Sequence, residues 1–242
     1  MKTLGVGIVL MVALFFCLPY HLYMKQLWKK NPEKSWEKAR KFVSGFFRFE
    51  LKLSGCKVNV IGKENIPQDG PVLFVGNHRS YFDILIYHEA IGKPLGFLAK
   101  KEMEKIPLLP LYMRDIGCLF LDREDIKQGL SVIKQGTEYM KQGHSMVVFP
   151  EGTRNQTDTL LPFREGGYKM AEKSKSPIVP VSICRSDLML ESAPKKRIHS
   201  HSVTIEFGKP IYPCELPPKE RKERYAAVSY THLRAHETLA NL

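Results

Sequence analysis

A long apolar stretch near the start of the chain limits its possible folds more than any other feature. Residues 4–24 carry no lysine, arginine, aspartate or glutamate and are mostly aliphatic or aromatic. About 20 such residues can span a bilayer as a helix. No small-x-small site follows, so a cleaved signal peptide is disfavoured. Pro19 allows a kinked, half-inserted helix as well as a full span, and the sequence predicts membrane attachment in either form.

A basic segment follows the apolar stretch directly. Its cations are Lys25, Lys29, Lys30, Lys34, Lys38, Arg40 and Lys41. Cations beside a membrane segment favour the cytoplasmic side and attract anionic lipid. We therefore expect the protein in the cell membrane, with its following domain on the cytoplasmic side. The net charge of +12 also fits a nucleic-acid binder, but no such module is recognisable and none is predicted.

Residues 36–53 have the spacing of an amphipathic helix. Trp36, Ala39, Val43, Phe46 and Phe47 fall near one another at about 3.6 residues per turn. Such a helix either lies on the membrane surface or packs its apolar side on the globular domain. Both alternatives stay open, and residues 1–54 are interpreted as membrane-anchoring helices.

Residues 55–228 are predicted to form the globular domain, because short apolar segments alternate there with helical segments. The predicted strands are Lys57–Ile61, Val72–Val75, Leu95–Ala99, Cys118–Leu121, Met146–Phe149, Ile178–Ile183 and Val203–Phe207. The predicted helices are Asp83–Ile91, Asp125–Gln142, Gly167–Lys173 and Lys219–Val228. This alternation indicates an α/β domain with a mixed, largely parallel sheet flanked by helices, behind the N-terminal membrane-associated segment.

The last segment, residues 229–242, is interpreted as a non-native tail. Its sequence resembles translated sequencing-adapter read-through, although a short terminal helix is the ordinary alternative. His232 and His236 are therefore assigned no function. The five cysteines are scattered, without a C-x-x-C pair or a Cys/His cluster, so they are interpreted as reduced packing residues and no metal site is predicted.

The first candidate site is the segment Asn77-His78-Arg79-Ser80-Tyr81-Phe82-Asp83, which follows a predicted strand. A five-residue step on a regular helix leaves two side chains about 140° apart. His78 and Asp83 can therefore meet only across a strand-to-helix junction. If they meet, Asp83 fixes the imidazole tautomer and supports the charge that His78 acquires as a base. The alternative is a helix-capping aspartate beside a surface histidine. Tyr81 and Phe82 are interpreted as core residues.

The second candidate site is Phe149-Pro150-Glu151-Gly152-Thr153-Arg154, at the end of another predicted strand. Open α/β sheets bind ligands at the carboxyl ends of their strands. Arg154 offers a fork for a phosphate, Gly152 a close backbone approach and Thr153 a hydroxyl. We expect Glu151 to orient Arg154 or to accept a hydrogen bond from a substrate hydroxyl. The alternative is a turn in which Glu151 and Arg154 merely pair.

Together the two segments resemble the signature of the 1-acyl-sn-glycerol-3-phosphate acyltransferases, a family of glycerolipid acyltransferases. Two further segments are similar to family blocks in the same order: residues 117–123, ending at Arg123, and residues 179–183. The resemblance covers roughly residues 35–225. It implies an enzyme in which His78 is the general base, Asp83 supports it, and Arg123, Arg154 and the Gly152 backbone bind the acceptor's phosphate.

The resemblance also implies the reaction and its partners. A fatty acyl group would pass from an acyl thioester, on acyl carrier protein or coenzyme A, to the sn-2 hydroxyl of lysophosphatidic acid. Phosphatidic acid would form at the membrane, with no metal or organic cofactor beyond the thioester co-substrate. Two alternatives remain: an acyltransferase for another lysolipid, and a catalytically inactive lipid-binding relative. A serine hydrolase is disfavoured because Gly143-His144-Ser145-Met146-Val147 lacks the second glycine of a nucleophile elbow.

Overall fold

The N-terminal region consists of three helices. The computed structural model describes residues 2–155, 157, 161, 163–217 and 220–221. The first helices are α1 (Lys2–Phe16), α2 (Leu18–Lys30) and α3 (Pro32–Ser54). Pro19 lies in the first turn of α2, and it has no N–H with which to continue the hydrogen-bonded ladder of α1. The axes of α1 and α2 differ by 55°. Within the described ranges no single helix meets the length and hydropathy needed to cross a membrane, whereas this bent pair does when taken together.

Helix α3 packs one side on the globular domain. Trp36, Ala39 and Leu51 are buried there, and the indole of Trp36 stacks on the ring of His144 with centroids 4.2 Å apart. The predicted amphipathic helix is therefore present, and its buried side contacts protein. Phe49, on another side of the same helix, remains 52% exposed.

A seven-stranded sheet forms the centre of the domain, as predicted. Its strands are β1 (Lys57–Ile61), β2 (Leu73–Gly76), β3 (Leu95–Lys100), β4 (Leu119–Leu121), β5 (Ser145–Val148), β6 (Ile178–Cys184) and β7 (Ser202–Phe207). The strand order is β1-β7-β6-β2-β5-β3-β4, and every neighbouring pair is parallel except β6 with β7. The predicted mixed, largely parallel sheet is confirmed.

Both faces of the sheet are covered by apolar cores. Successive residues of β2 point to opposite faces, so Phe74 joins one core while Leu73 and Val75 join the other. The first core includes residues of α2, of α3 and of α4 (Phe82–Ile91). The helix α5 (Leu109–Asp115) lies between β3 and β4 in the sequence. The second core is closed by α6 (Ile126–Lys141) and α7 (Tyr168–Ser174). Strands β2, β5 and β6 are buried along their whole length and are mostly apolar, whereas β1 and β7 alternate between more and less buried residues.

Helix α5 was not predicted from the sequence. Its segment carries Pro107 and Pro110, which interrupt a helical pattern. Pro110 lies within the first turn of α5, where an N–H has no helical partner in any case. The helix ends at Asp115, whose carboxylate lies 2.8 Å from His21 Nδ1 of α2. Helix α5 therefore connects the N-terminal helices to the domain.

Of the predicted C-terminal helix Lys219–Val228, only residues 220 and 221 are described, and both are helical. The remainder of that helix and the interpreted tail 229–242 lie outside the described residues. The five cysteines, all in the described ranges, are free thiols, as predicted. Cys214 is exposed, so its interpretation as a packing residue is wrong.

Candidate active site

The first candidate site lies where β2 ends and α4 begins. Gly76 closes β2, His78 occupies the loop that follows, and Asp83 lies in the first turn of α4. The junction turns the chain enough for the two side chains to meet, with 2.7 Å between His78 Nδ1 and Asp83 Oδ2. Asp83 is fully buried, whereas the His78 side chain is 17% exposed. The structure therefore brings together the two residues that the first motif singled out.

Backbone donors fix the Asp83 carboxylate from the opposite side. Its Oδ2 also accepts hydrogen bonds from the N–H groups of Arg79, at 2.7 Å, and Ser80, at 2.8 Å. Three donors therefore hold this one oxygen in place. The neighbouring Tyr87 is completely buried, which raises the pKa of its phenol, and the charge of Asp83 raises that pKa further. With Nδ1 bonded to Asp83, the lone pair of a neutral His78 is placed on Nε2.

One face of the His78 ring packs against an aromatic side chain. It stacks on Phe149, the residue directly after β5, with centroids 4.2 Å apart and an interplanar angle of 12°. Phe149 in turn contacts the rings of Tyr87 and Phe97. Strands β2 and β5 are parallel neighbours, so the residues that follow them meet at one edge of the sheet. Sheet topology is therefore what joins the two motifs.

The second motif forms a turn beside Arg123. The N–H of Gly152 donates to the carbonyl of Phe149 at 2.9 Å, and Gly152 has a φ of +71°, which favours glycine. A Cβ at this position would lie 3.4 Å from Cζ of Arg123, so the guanidinium packs directly over the glycine. Arg123 has no hydrogen bond or ion pair within the described part of the chain. Burial lowers its pKa, and the nearby charge of Arg164 lowers it further.

Arg154 is paired with a residue that the sequence did not single out. Its Nη1 donates to Glu191 Oε1 at 3.0 Å, and its Cζ lies 3.8 Å from the centre of the Tyr81 ring. The expected contact with Glu151 is absent from the described contacts. Glu151 is buried and accepts instead from Asn155 Nδ2 at 2.6 Å and from the N–H of Leu161 at 3.2 Å. Glu151 therefore shapes the loop, and Glu191 orients Arg154.

The solvent exposure of their side chains tests the expectations for Phe82, Tyr81 and Thr153. Phe82 is buried in the core, as interpreted, but the interpretation of Tyr81 as a core residue is wrong because its side chain is 51% exposed and lies under Arg154. Thr153 is exposed, so its hydroxyl is open to solvent at the turn.

Several residues that assemble the site were assigned no role from the sequence. The amide of Asn77 makes two hydrogen bonds, at 2.8 Å each, with the carbonyl and the N–H of Ile183 on β6. Arg79 Nε donates to Asp187 Oδ1 at 2.9 Å. Burial raises the pKa of Asp187, but hydrogen bonds from Arg79 and Ser192 outweigh it and leave that pKa below its ordinary value. Asn77 lies in the first candidate segment, directly after a predicted strand, so its position indicated a role. Asp187 belongs to no motif.

The fold and the site define a class of α/β enzyme. A histidine held by a buried carboxylate lies at the carboxyl edge of a largely parallel sheet, next to an arginine-bearing turn. Chemically, a histidine held in this way can accept a proton from a hydroxyl, and the neighbouring arginines can bind an anion. In the described ranges no cluster of three or more metal-ligating side chains occurs.

The comparisons with known proteins identify the family. A family model described as Acyltransferase matches residues 57–184, and the chain belongs to this acyltransferase family. A Mycoplasma pneumoniae protein named "Probable 1-acyl-sn-glycerol-3-phosphate acyltransferase" is 34% identical over 76% of this chain and 71% of its own. The 1-acyl-sn-glycerol-3-phosphate acyltransferase of Helicobacter pylori is 31% identical over 81% of each chain.

A solved structure has the same fold. The 1-acyl-sn-glycerophosphate (LPA) acyltransferase PlsC from Thermotoga maritima superposes with a TM-score of 0.79 at 27% identity, covering 99% of this chain and 95% of that one. The similarity therefore extends over the N-terminal helices as well as the sheet.

Proposed function

We propose that this acyltransferase moves a fatty acyl group from an acyl thioester to the sn-2 hydroxyl of lysophosphatidic acid and so forms phosphatidic acid. The observation that carries the proposal is the His78–Asp83 pair, held 2.7 Å apart beside the arginine-bearing turn. The names of the relatives support the acceptor, because each contains 1-acylglycerol phosphate as the substrate.

His78 performs the proton transfers. Its Nε2 takes the proton of the acceptor hydroxyl as that oxygen attacks the thioester carbonyl carbon. The C–S bond of the tetrahedral intermediate then breaks, and the departing sulfur receives the proton from His78 Nε2. The products are an ester and a free thiol, and no acyl-enzyme forms. Asp83 stabilises the imidazolium between the two transfers and is never protonated.

The acceptor's phosphate is assigned to the cations beside the turn. Arg123 packs over Gly152 and has no partner in the described ranges, so its charge is available to an anion. Arg154 contributes the N–H groups that Glu191 does not occupy. Binding the phosphate there fixes the acceptor's glycerol near His78, and orienting two bound reactants removes several kcal/mol of the barrier.

The N-terminal helices are assigned to the membrane surface. Phe15 and Phe16 of α1 are 61% and 73% exposed, and Leu4 is 70% exposed. Such residues are favourable in contact with lipid and unfavourable in water. The basic segment, which runs from Lys25 in α2 to Lys41 in α3, favours the cytoplasmic side of the cell membrane, where acyl carrier protein and coenzyme A thioesters are found. The acceptor and the product are themselves membrane lipids, so this location supplies one and receives the other.

The experiment is an acyl-transfer assay on membranes that contain the chain. Labelled lysophosphatidic acid is supplied with an acyl-carrier-protein thioester or a coenzyme A thioester, and His78→Ala is tested beside the parent. Labelled phosphatidic acid from the parent, lost in His78→Ala, is expected with at least one donor. A folded, membrane-bound parent that gives no product with either donor would exclude lysophosphatidic acid as the acceptor. Activity that survives His78→Ala would exclude the proposed base.

A further inference from the structure

One carboxylate connects the two halves of the candidate site. Glu191 lies on the segment after β6, and its side chain is only 6% exposed. Its Oε2 accepts from Ser80 Oγ at 2.6 Å, and its Oε1 accepts from the N–H of Tyr81 at 2.9 Å and from Arg154 Nη1 at 3.0 Å. Three donors from two separate motifs therefore converge on one side chain.

Two of these contacts fix the start of α4. Ser80 and Tyr81 directly precede Phe82, the first residue of that helix, and Ser80 Oγ also accepts from the Phe82 N–H at 3.1 Å. The N–H of Ser80 donates to Asp83 Oδ2, the oxygen that holds His78. A shift of this turn therefore changes the direction in which Asp83 presents its oxygen to the imidazole.

The third contact fixes the guanidinium of Arg154. Glu191 holds it by a charge-assisted hydrogen bond, and the exposed ring of Tyr81 lies beneath it at 3.8 Å. Only one N–H of Arg154 is used by Glu191, and the others have no partner in the described part of the chain. The arginine is therefore held in place while it keeps donors for an anion.

We propose that Glu191 is a positioning residue that sets both the phosphate-binding arginine and the histidine–aspartate base. The inference rests on the proposed function, because it takes Arg154 to bind the acceptor's phosphate. Glu191 itself does not touch substrate in this assignment. The contacts of Glu191 form two branches. The contact with Arg154 acts on acceptor binding, and the contacts with Ser80 Oγ and the Tyr81 N–H act on the chemical step through Asp83.

The two branches predict separable kinetic effects. Arg154→Ala removes one branch and is expected to raise KM for lysophosphatidic acid about tenfold with little change in kcat. Ser80→Ala removes the side-chain contact of the other branch and is expected to lower kcat about tenfold with little change in KM. Glu191→Ala is expected to show both effects. Glu191→Gln keeps an acceptor for Arg154 and a polar atom for Ser80, so it is expected to recover kcat to within about threefold of the parent.

A double-variant cycle then tests the linkage directly. The KM effect of Glu191→Ala is expected to disappear when Arg154 is already alanine, while its kcat effect persists. The matched control is Glu89→Ala. Glu89 lies on α4 and accepts a hydrogen bond from Arg48 Nε of α3 at 2.8 Å, so this variant also breaks a glutamate–arginine pair. That control is expected to leave both parameters near the parent values, and thermal unfolding of each variant monitors folding.

The outcomes separate this inference from the proposed function. A parent that makes no phosphatidic acid refutes the proposed function. With an active parent, additive KM effects of Glu191→Ala and Arg154→Ala overturn the inference, as does a Glu191→Gln variant as slow as Glu191→Ala. If Glu191→Ala does not fold, Ser80→Ala and Arg154→Ala still decide the matter: the inference is wrong if both change the same kinetic parameter.

Discussion

The charge of Asp83 can be removed without disturbing its hydrogen bonds. In Asp83→Asn the amide oxygen is expected at the position of Oδ2, because the N–H groups of Arg79 and Ser80 both point at that atom. An amide nitrogen there would face two donors, so the flipped orientation is disfavoured. The oxygen then still accepts from His78 Nδ1, and the imidazole keeps its tautomer. The variant therefore isolates the electrostatic contribution of the carboxylate.

The magnitude of that contribution follows from the geometry. Nδ1 and Oδ2 are 2.7 Å apart in the parent, which places the centres of the two charges about 4 Å apart. Two unit charges at that separation interact by about 4 kcal/mol at an effective dielectric constant of about 20. Each 1.4 kcal/mol corresponds to about a factor of ten in rate. We therefore expect kcat to fall by roughly 10³ in Asp83→Asn, while KM for the acceptor changes little.

The assay is single-turnover transfer from an acyl thioester to labelled lysophosphatidic acid, with thermal unfolding measured on the same preparations. His78→Ala and the double variant His78→Ala/Asp83→Asn complete the set. Because Asp83 acts through His78, the double variant is expected to be no slower than His78→Ala alone. A folded Asp83→Asn enzyme that keeps more than a tenth of the parent kcat would refute the assignment of the carboxylate to the imidazolium.

The remaining predictions concern the anion site, the packing behind the base and the response to acid. Arg123→Gln is expected to raise KM for lysophosphatidic acid at least tenfold and to weaken its salt dependence, measured by kinetics at two ionic strengths; an unchanged KM would remove Arg123 from the site. Gly76→Ala is expected to lower the free energy of unfolding by about 2 kcal/mol in urea titrations, because its Cβ would overlap the Tyr87 hydroxyl; no loss would contradict this packing. Burial lowers the pKa of His144 to about 3, so the unfolded chain gains a proton that the folded chain does not as the pH falls below about 6.5. Stability is therefore expected to decrease from pH 6.5 towards pH 4 in detergent, with a shallower slope in His144→Asn; equal slopes would show that this histidine does not cause the loss.

Local sequence patterns predicted most of the fold. All seven strands appear within about one residue of their predicted bounds. The central strands are buried on both faces and leave continuous apolar segments, whereas β1 and β7 leave the alternating pattern of partly exposed strands. Helix α5 was missed because Pro110 gives the same signal at the first turn of a helix as it gives in a loop. The His78–Asp83 contact was predictable because both residues flank a single strand-to-helix junction.

The partner of Arg154 was not predictable from spacing. Glu151 is three residues away in the sequence and was the natural candidate, but its carboxylate turns towards Asn155 and Leu161. Glu191 reaches Arg154 from a segment that follows β6, a strand that lies next to β2 in the sheet. Contacts of this kind depend on strand order, and no periodicity within a single segment encodes strand order.

The strand order also affects how the nascent chain folds during translation. Asn77 depends on Ile183 for both of its amide hydrogen bonds, and Ser80 depends on Glu191. At roughly 5 to 20 residues per second, a ribosome needs on the order of ten seconds after making His78 before Glu191 is added. Before residues 178–184 are made, β2 lacks β6 at its side, and until Glu191 is added α4 lacks the carboxylate that holds its first turn. The nascent polypeptide therefore carries its histidine and aspartate long before it can hold them in a working arrangement, and the segment translated after β6 completes the enzyme.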